Sequence, residues 1–407
     1  MPQKGSQVIE EIVTENDHGA GVVKSWASII DDNTREQATL ISRSNIVEGH
    51  LALMPDAHFG YGPPVGTALR TRDGVMPYAV GVDIGCGMIA AETTLRREQL
   101  IGHEGAILEA IREMIPSGVG RGHDGAILNA ADAFVEEHGF PKGLESGAFD
   151  AGRVKQMRKK IKPQFGTLGA GNHFVEVCDN DEGTVWLLLH SGSRGIGNML
   201  ATGHQQRARA FCGEKKIPLE HQDMAYFPMG SAGADIYLLD MVWAQEYAFK
   251  QREAMMDNLI SAVEMSVDDW DIVERINCHH NYAELQEDGA WLTRKGAIDA
   301  SEGVPGIIPG SMGAATYIVR GKGNEEAYRT SPHGAGRVLS RNAARRTLSE
   351  DEFRTQMEGR TWLDRDAAKL LDEAPGAYKP IEQVMKDSQD LVETVAVLGQ
   401  FINYKGL

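Results

Sequence analysis

The chain's 46 glycines are unevenly spaced, and their clusters coincide with cysteine, histidine and aspartate residues of ligand type. Glycine adopts backbone conformations closed to other residues and lets a chain approach a phosphate or metal closely. Five such segments stand out. In Gly81-Val82-Asp83-Ile84-Gly85-Cys86-Gly87-Met88 an apolar run enters a Gly-x-Gly turn carrying Asp83 and Cys86. A carboxylate beside a thiolate suits a borderline divalent ion, while a lone buried cysteine would simply pack as a small hydrophobe. The segment Gly166–Val177 brings Asn172, His173 and Glu176 behind a glycine nest. If it is extended, Asn172 and Glu176 share one face and His173 takes the other. The apolar run Val185–Leu189 ends in His190 and Ser191-Gly192-Ser193-Arg194-Gly195, which reads as an anion-binding loop or as a plain turn. Ile276–Tyr282 puts His279 and His280 at another strand end, where neighbours face opposite ways and only one readily serves a given metal.

The fifth segment, Ser331-Pro332-His333-Gly334-Ala335-Gly336-Arg337, sets a histidine before Gly-x-Gly and before a helix bearing Arg337, Arg341, Arg345 and Arg346. Phosphoryl or nucleotidyl transfer needs such a nucleophile, such amides and such a basic face, although a helix start would carry them too. Five coincidences between positions 83 and 333 favour one metal site over five unrelated turns. Weaker candidates are Asp56 and His58, which share a strand face, and Ser311 in Gly310-Ser311-Met312-Gly313, while the Lys405-Gly406-Leu407 terminus would ordinarily be dismissed as frayed. The chain has no P-loop, no His-Glu-x-x-His, no Gly-x-Ser-x-Gly, no Cys-x-x-Cys and no nucleotidyl-lysine motif. If it transfers nucleotides, histidine is the better nucleophile.

With 41 Lys+Arg against 58 Asp+Glu, a formal charge of −17 argues against non-specific coating of nucleic acid. It leaves room for an enzyme with one local basic channel. Four scattered cysteines build no disulfide framework, no apolar run nears the roughly 18 residues of a membrane span, and the first residues lack a signal-peptide layout. A cytoplasmic protein without a membrane partner is expected. No linker divides the sequence, so one catalytic unit over 1–407 is expected, of α+β class because helices and strands mix without a βαβ beat. Helices are predicted at 98–116, 125–138, 200–215, 235–265, 336–347, 350–373 and 380–401. Strands are predicted at Trp26–Ile30, His50–Met54, Tyr78–Val82, Phe174–Val177, Val185–Leu189, Ile272–Cys278 and Tyr317–Arg320. The repeated string Gly102–Leu108 and Gly122–Leu128 reads as two helix starts. Without heptads or a long edge strand, a monomer is expected.

The strings GVDIGCGM (81–88), GTLGAGNHFVE (166–176), LHSGSRGIGN (189–198), INCHHNY (276–282), IIPGSMGA (307–314), RGKGNEE (320–326) and HGAGR (333–337) resemble the RtcB RNA ligase family. The match runs from about Trp26 to Lys405-Gly406; residues 100–162 carry no family motif. The resemblance implies a single large mixed domain of RtcB type, with a metal site at strand ends and Gly-rich loops. It implies GTP- and Mn²⁺-dependent joining of RNA 3′-phosphate or 2′,3′-cyclic phosphate ends to 5′-hydroxyl ends, in RNA repair or tRNA splicing. Asp83, Cys86, His173, His190 and His280 would bind two Mn²⁺ per active site, with Cys86 shared. His333 would become guanylylated and pass GMP to the RNA 3′-phosphate. Asn172, Glu176, Ser311, Tyr378 and Lys405, with Gly334 and Gly336, would hold the guanine nucleotide. Asp56, His58, Arg194, Arg337 and Arg341 would meet RNA, with Arg153, Lys155, Arg158, Lys159, Lys160, Lys162 and Arg345 as further parts of a basic path. An archease-like activator is a candidate partner. Pro332, where the family often has a small residue, restricts the backbone before His333. A metal-dependent phosphodiesterase and a non-catalytic RNA-end sensor are the alternatives.

Overall fold

Two sheets meet at the residues singled out above. In the computed structural model, which describes residues 7–118, 122–123 and 128–407, strands are numbered along the chain. The first sheet runs β1 (Glu10–Asn16), β2 (Gly19–Ser25), β3 (Val47–His58), β4 (Val65–Thr71), β12 (Trp291–Lys295), β11 (Asn281–Leu285). Only β2 and β3 pair parallel in it. The second runs β10 (Ile272–His279), β6 (Gly87–Arg96), β8 (Thr184–Ser191), β7 (Phe174–Asp179), β17 (Val392–Lys405), β15 (Thr316–Gly321), β14 (Pro305–Pro309), antiparallel throughout. Two short pairs complete the set, β5 (Gly74–Val75) with β9 (Phe227–Pro228) and β13 (Ala297–Asp299) with β16 (Thr330–Pro332). Antiparallel sheets with helices gathered on them are the expected α+β class.

Strand β10 closes one sheet and β11 opens the other, with His280 alone between them. Its backbone is held at both ends, the N–H by Cys86 O at 2.7 Å and the carbonyl by the Ala297 N–H at 3.1 Å. Behind this junction lies helix Ala232–Glu264, started by the Ser231 side chain, which accepts the Ala234 N–H. Tyr237, Met241, Ala244 and Tyr247 pack it against helices Ala151–Gln164 and Arg194–Glu214, and Met255, Met256, Leu259 and Val263 pack it on the second sheet. Two of its buried polar side chains, Gln251 and Arg252, brace the glycine turns. Gln251 donates to Ser191 Oγ (3.0 Å) and Gly192 O (2.6 Å), and Arg252 donates to Gly85 O (2.7 Å), Ser191 O (3.1 Å) and Asn277 Oδ1 (2.8 Å). Burial lowers the Arg252 guanidinium to about 10, still a cation at neutral pH.

Five sequence expectations are corrected. Trp26–Ile30 is not a strand: β2 ends at Ser25, and Trp26 is a buried side chain donating to Asp390 Oδ2 at 3.0 Å. Tyr78–Val82 is a turn of helix, Pro77–Val80, because Pro77 suits a first helical position and Gly81 ends it at φ 91°. The helix predicted at 380–401 stops at Asp387, and β-branched Val392, Thr394, Val395 and Val397 continue as β17. The helices at 336–347 and 350–373 are shortened to Arg341–Thr347, Glu350–Gln356 and Ala367–Leu370. Ser340 caps the first, and Gly359 at φ 78° interrupts the second stretch. Helix Glu104–Met114 begins in the first copy of the repeated string, whereas 124–127 of the second copy lie outside the described residues.

Candidate active site

Gly81, Gly85 and Gly87 let the chain between helix Pro77–Val80 and β6 fold tightly enough to aim Asp83 and Cys86 at the ends of β7 and β8. At Gly87 a Cβ would lie 2.1 Å from the Cys278 carbonyl oxygen, so only glycine fits beside β10. Cys86 Sγ stands 3.5 Å from His173 Nε2 and 3.3 Å from His190 Nε2. His190 Nε2 is 2.9 Å from His280 Nε2, and Asp83 Oδ2 is 3.2 Å from His173 Nε2. The result is two triads, Cys86/His190/His280 and Asp83/Cys86/His173, that share the thiol.

The surroundings test whether these groups suit a cation. Nδ1 of His173 faces Leu168 O at 2.8 Å, and Nδ1 of His190 faces Asn172 O at 3.1 Å. A carbonyl only accepts, so both Nδ1 atoms carry hydrogen and both Nε2 atoms turn a lone pair inward. Burial, reinforced by neighbouring histidines, pushes His190 and His280 well below the usual imidazole value and keeps them neutral. Burial and the Asp83 carboxylate push the Cys86 thiol up. Asp83 Oδ1 and His280 Nδ1 are buried without a partner. Converging lone pairs with little to bond repel one another unless a cation lies among them, and a cation would also release the thiol proton. One sulfur, three imidazoles and a carboxylate fit a borderline divalent ion.

Beside the cluster opens a cavity of about 320 Å³, lined by Asp83, His190, His280 and His333 together with Lys295, Asn281 and Gln205. The His333 ring lies 4.6 Å from that of His280, centre to centre. His333 leaves β16 directly after Pro332, which pairs with Ala297. Its backbone N–H donates to Asp56 Oδ2 at 3.2 Å, and its Nδ1 sits 2.7 Å from the same oxygen in a bent contact. Asp56 is wholly buried beneath it. Nδ1 thus lies beside the carboxylate without a hydrogen bond to it, and Nε2 is the ring's other nitrogen. Gly336, at φ 74°, passes so close to β3 that a Cβ would stand 2.1 Å from Asp56 O. Gly336→Ala is expected to displace Asp56 from His333, with a loss of about 1–3 kcal/mol in stability read by thermal melts and a parallel loss of activity.

A buried carboxylate organises the cavity's other wall. Glu373 receives Arg337 at 2.6 Å, Lys405 at 2.8 Å and the Tyr378 hydroxyl at 2.9 Å. Burial pushes this carboxyl up, and Lys405 and Arg337 outweigh it, so the group stays ionised. Asn172, Ser311, Gly334, Gly336, Tyr378, Lys405, His58, Arg337 and Arg341 all line the cavity as well.

A protein-family model described as tRNA-splicing ligase RtcB matches residues 37–406. The chain belongs to the RtcB family. It is 38% identical over 426 residues to the RNA-splicing ligase RtcB of Escherichia coli (strain K12), covering 98% of this chain and 99% of that one. It is 30% identical over 396 residues to the RNA-splicing ligase RtcB of Mycobacterium tuberculosis, covering 82% and 91%. Against the tRNA-splicing ligase RtcB of Thermococcus kodakarensis the identity is 29% over 418 residues, 87% of each chain. No helix among the described residues is long and apolar enough to cross a membrane.

In this RtcB chain His280, not His279, joins the cluster, since His279 Nδ1 is turned to Gly85 O at 2.9 Å. Besides Cys86, His173 and Asp56, which lie behind the cavity lining, two further expected site residues are not on the cavity wall. Arg194 lies against Gly169 and donates to Thr167 Oγ1 at 3.1 Å. Glu176 is buried behind the wall, accepting from Asn403 Nδ2 at 2.7 Å. Asp56 lies under His333, and His58 lines the cavity with its Nδ1 3.0 Å from the Asp56 carbonyl oxygen. Burial lowers His58 to about 4, so it is neutral there. The basic helix Ala151–Gln164 supplies no wall residue. Arg153 caps Met199 O, Arg158 stacks on Phe140 and Lys162 pairs with Asp132. Sequence reasoning missed Lys295 and Glu373. Lys295 is a lysine inside strand β12, which the sequence reading did not pick out, and Glu373 is the acid ending the stretch read as a helix over 350–373.

Burial raises Glu176 from the ordinary 4.5 to about 7. A carboxyl held protonated in the fold favours the native state fully below pH 4.5 and loses that contribution as pH rises to about 7. Glu176→Gln is therefore expected to gain stability relative to wild type between pH 5 and 7, which paired melts at those two pH values would read.

Proposed function

We propose that this RNA ligase uses GTP and Mn²⁺ to join 3′-phosphate or 2′,3′-cyclic phosphate RNA ends to 5′-hydroxyl ends, through guanylylated His333 and an RNA-3′-pp-5′-G intermediate. The observation that carries this is a single histidine, with one nitrogen 2.7 Å from a buried carboxylate, standing on the same cavity as the metal-type cluster. Asp56 orients the ring and offsets the charge it gains when Nε2 bonds the α-phosphorus of GTP and pyrophosphate departs. An oxygen of the RNA 3′-phosphate then takes the guanylyl group and frees the imidazole. The 5′-hydroxyl attacks the capped phosphate, forms the phosphodiester and expels GMP; a cyclic end is first hydrolysed to the 3′-phosphate.

Asp83, Cys86, His173, His190 and His280 would hold two Mn²⁺, with Cys86 shared. When bound, the ions would neutralise crowded phosphates and lower the pKa of attacking groups. Asn172, Ser311, Tyr378 and Lys405 would take the guanine nucleotide, with Glu176 supporting from behind, and the amides of Gly334 and Gly336 would face its phosphates. Arg341, whose side chain is 43% exposed, is the freer phosphate contact, because Arg337 is bound to Glu373. Asp56, His58 and Arg194 then act by positioning. The same reading includes a monomeric cytoplasmic enzyme, one catalytic unit over 1–407, and an archease-like activator. The test is end chemistry: with GTP and Mn²⁺, 3′-phosphate and 5′-hydroxyl RNA ends should join, while 3′-hydroxyl and 5′-phosphate ends should not.

A further inference from the structure

The cavity at His333 continues past Gly60 into a second groove, walled by helix Asp32–Ser42, by Val82 and Gln205, and by His221–Asp223. Gly60, Tyr61, Val82 and Gln205 border both spaces, whereas Ser311, Tyr378 and Lys405 border only the first. Tyr61 on the shared edge is 82% exposed, Phe59 on the second groove's side of it is 60% exposed, and Tyr61 is the most exposed large apolar residue among the described residues.

Their backbone is nevertheless tightly held. Gln37 donates to Gly60 O and accepts the Gly60 N–H at 3.1 Å. The Gly62 N–H donates to Asp223 Oδ2 at 3.2 Å, and the Lys295 ammonium donates to Tyr61 O and, at 2.8 Å, to Pro63 O. Three separate elements thus fix a loop whose two aromatic rings are left open to water. Exposed aromatic rings on a fixed backbone are what proteins use to stack unpaired nucleobases. The groove's charge selects which RNA end fits. Glu36 and Asp223 are acidic, and the one guanidinium in the lining, Arg209, is bonded to Asp223 at 2.7 Å and stacked on Tyr78. A terminal phosphate would meet no unpaired Lys or Arg in this lining, whereas a nucleoside ending in a hydroxyl needs none.

We propose that Phe59 and Tyr61 form the platform for the terminal nucleoside of the 5′-hydroxyl RNA strand, stacking its base and presenting its hydroxyl to the cavity. This rests on the ligase reading above. The test places 2-aminopurine at the 5′-terminal position of a 5′-hydroxyl oligoribonucleotide and follows its fluorescence as the full chain is added. Wild type should quench it, Phe59→Ala/Tyr61→Ala should lose the quench and bind on the order of tenfold or more weakly, and Phe59→Tyr should behave as wild type. Both rings are exposed, so truncation removes no core packing. An unquenched wild-type complex would overturn the proposal. So would a double variant that binds and quenches as wild type, which would return the rings to a protein partner. A stronger quench with the label on the 3′-phosphate-terminal base would also overturn it. Binding is read without GTP or turnover, so this outcome is separate from failure of the ligase reading, which shows as absent guanylylation.

Discussion

His333→Ala is expected to seal no RNA that arrives with a 3′-phosphate, a fall on the order of 10³-fold or more, yet to seal the same RNA once its end already carries GMP. On the proposed mechanism the ring supplies the nitrogen that carries the guanylyl group, and is required only for that step. It is not part of the Cys86-centred triads, and its contact with them is ring against ring at 4.6 Å to His280. Alanine therefore removes the nucleophile and keeps the cluster, while the backbone N–H at this position still reaches Asp56. Capped RNA would bypass the missing step, because in the proposed mechanism the final attack by the 5′-hydroxyl expels GMP without histidine. Parallel rates on capped and uncapped RNA check this. Equal loss on both would mean that His333 also shapes the site for the last step.

Cys86→Ala should behave in the opposite way and fail on both substrates. Its sulfur is the one atom common to the two triads, so alanine takes a ligand from each. Replacing an outer-shell partner of a metal ligand already costs 10–100-fold, and losing a shared direct ligand should exceed that in Mn²⁺ affinity and in both sealing rates. Retained metal, measured by elemental analysis after desalting, should fall below the wild-type value, which the account sets at two per chain. The buried sulfur leaves only a small void, so the fold should lose on the order of 1 kcal/mol. Circular dichroism of the metal-free variant would separate lost metal from lost structure. Full activity with normal metal content would remove Cys86 from the site.

The cluster was legible because each of its members stands beside glycine at a strand end, where tight backbone and reactive side chain have to coincide. Asp83, Cys86, His173, His190 and His280 come together from elements nearly 200 positions apart. The choice of His280 over His279 matches the junction between β10 and β11. What the pattern could not convey was the work of buried charge. Glu373 gathers Arg337, Tyr378 and Lys405 only after sheet and helix bring them together. Lys295 carries no local signal, being one lysine in a strand, although burial lowers it to about 7 and its ammonium holds the Tyr61 loop. Asp56 was read only as sharing a strand face with His58, because its contact with His333 spans nearly 280 positions and leaves no local signal. The C-terminal error has a similar origin: apolar spacing after Pro380 fits a helix until the β-branched run from Val392 takes its place in the second sheet.

The most direct test is covalent labelling: the chain is incubated with Mn²⁺ and α-labelled GTP, then denatured, for wild type and His333→Ala. The account predicts a label on wild type alone that acid removes and alkali spares, as a phosphoramidate on histidine requires. An unlabelled wild type that still hydrolyses cyclic-phosphate RNA, or a label that survives in His333→Ala, would contradict it.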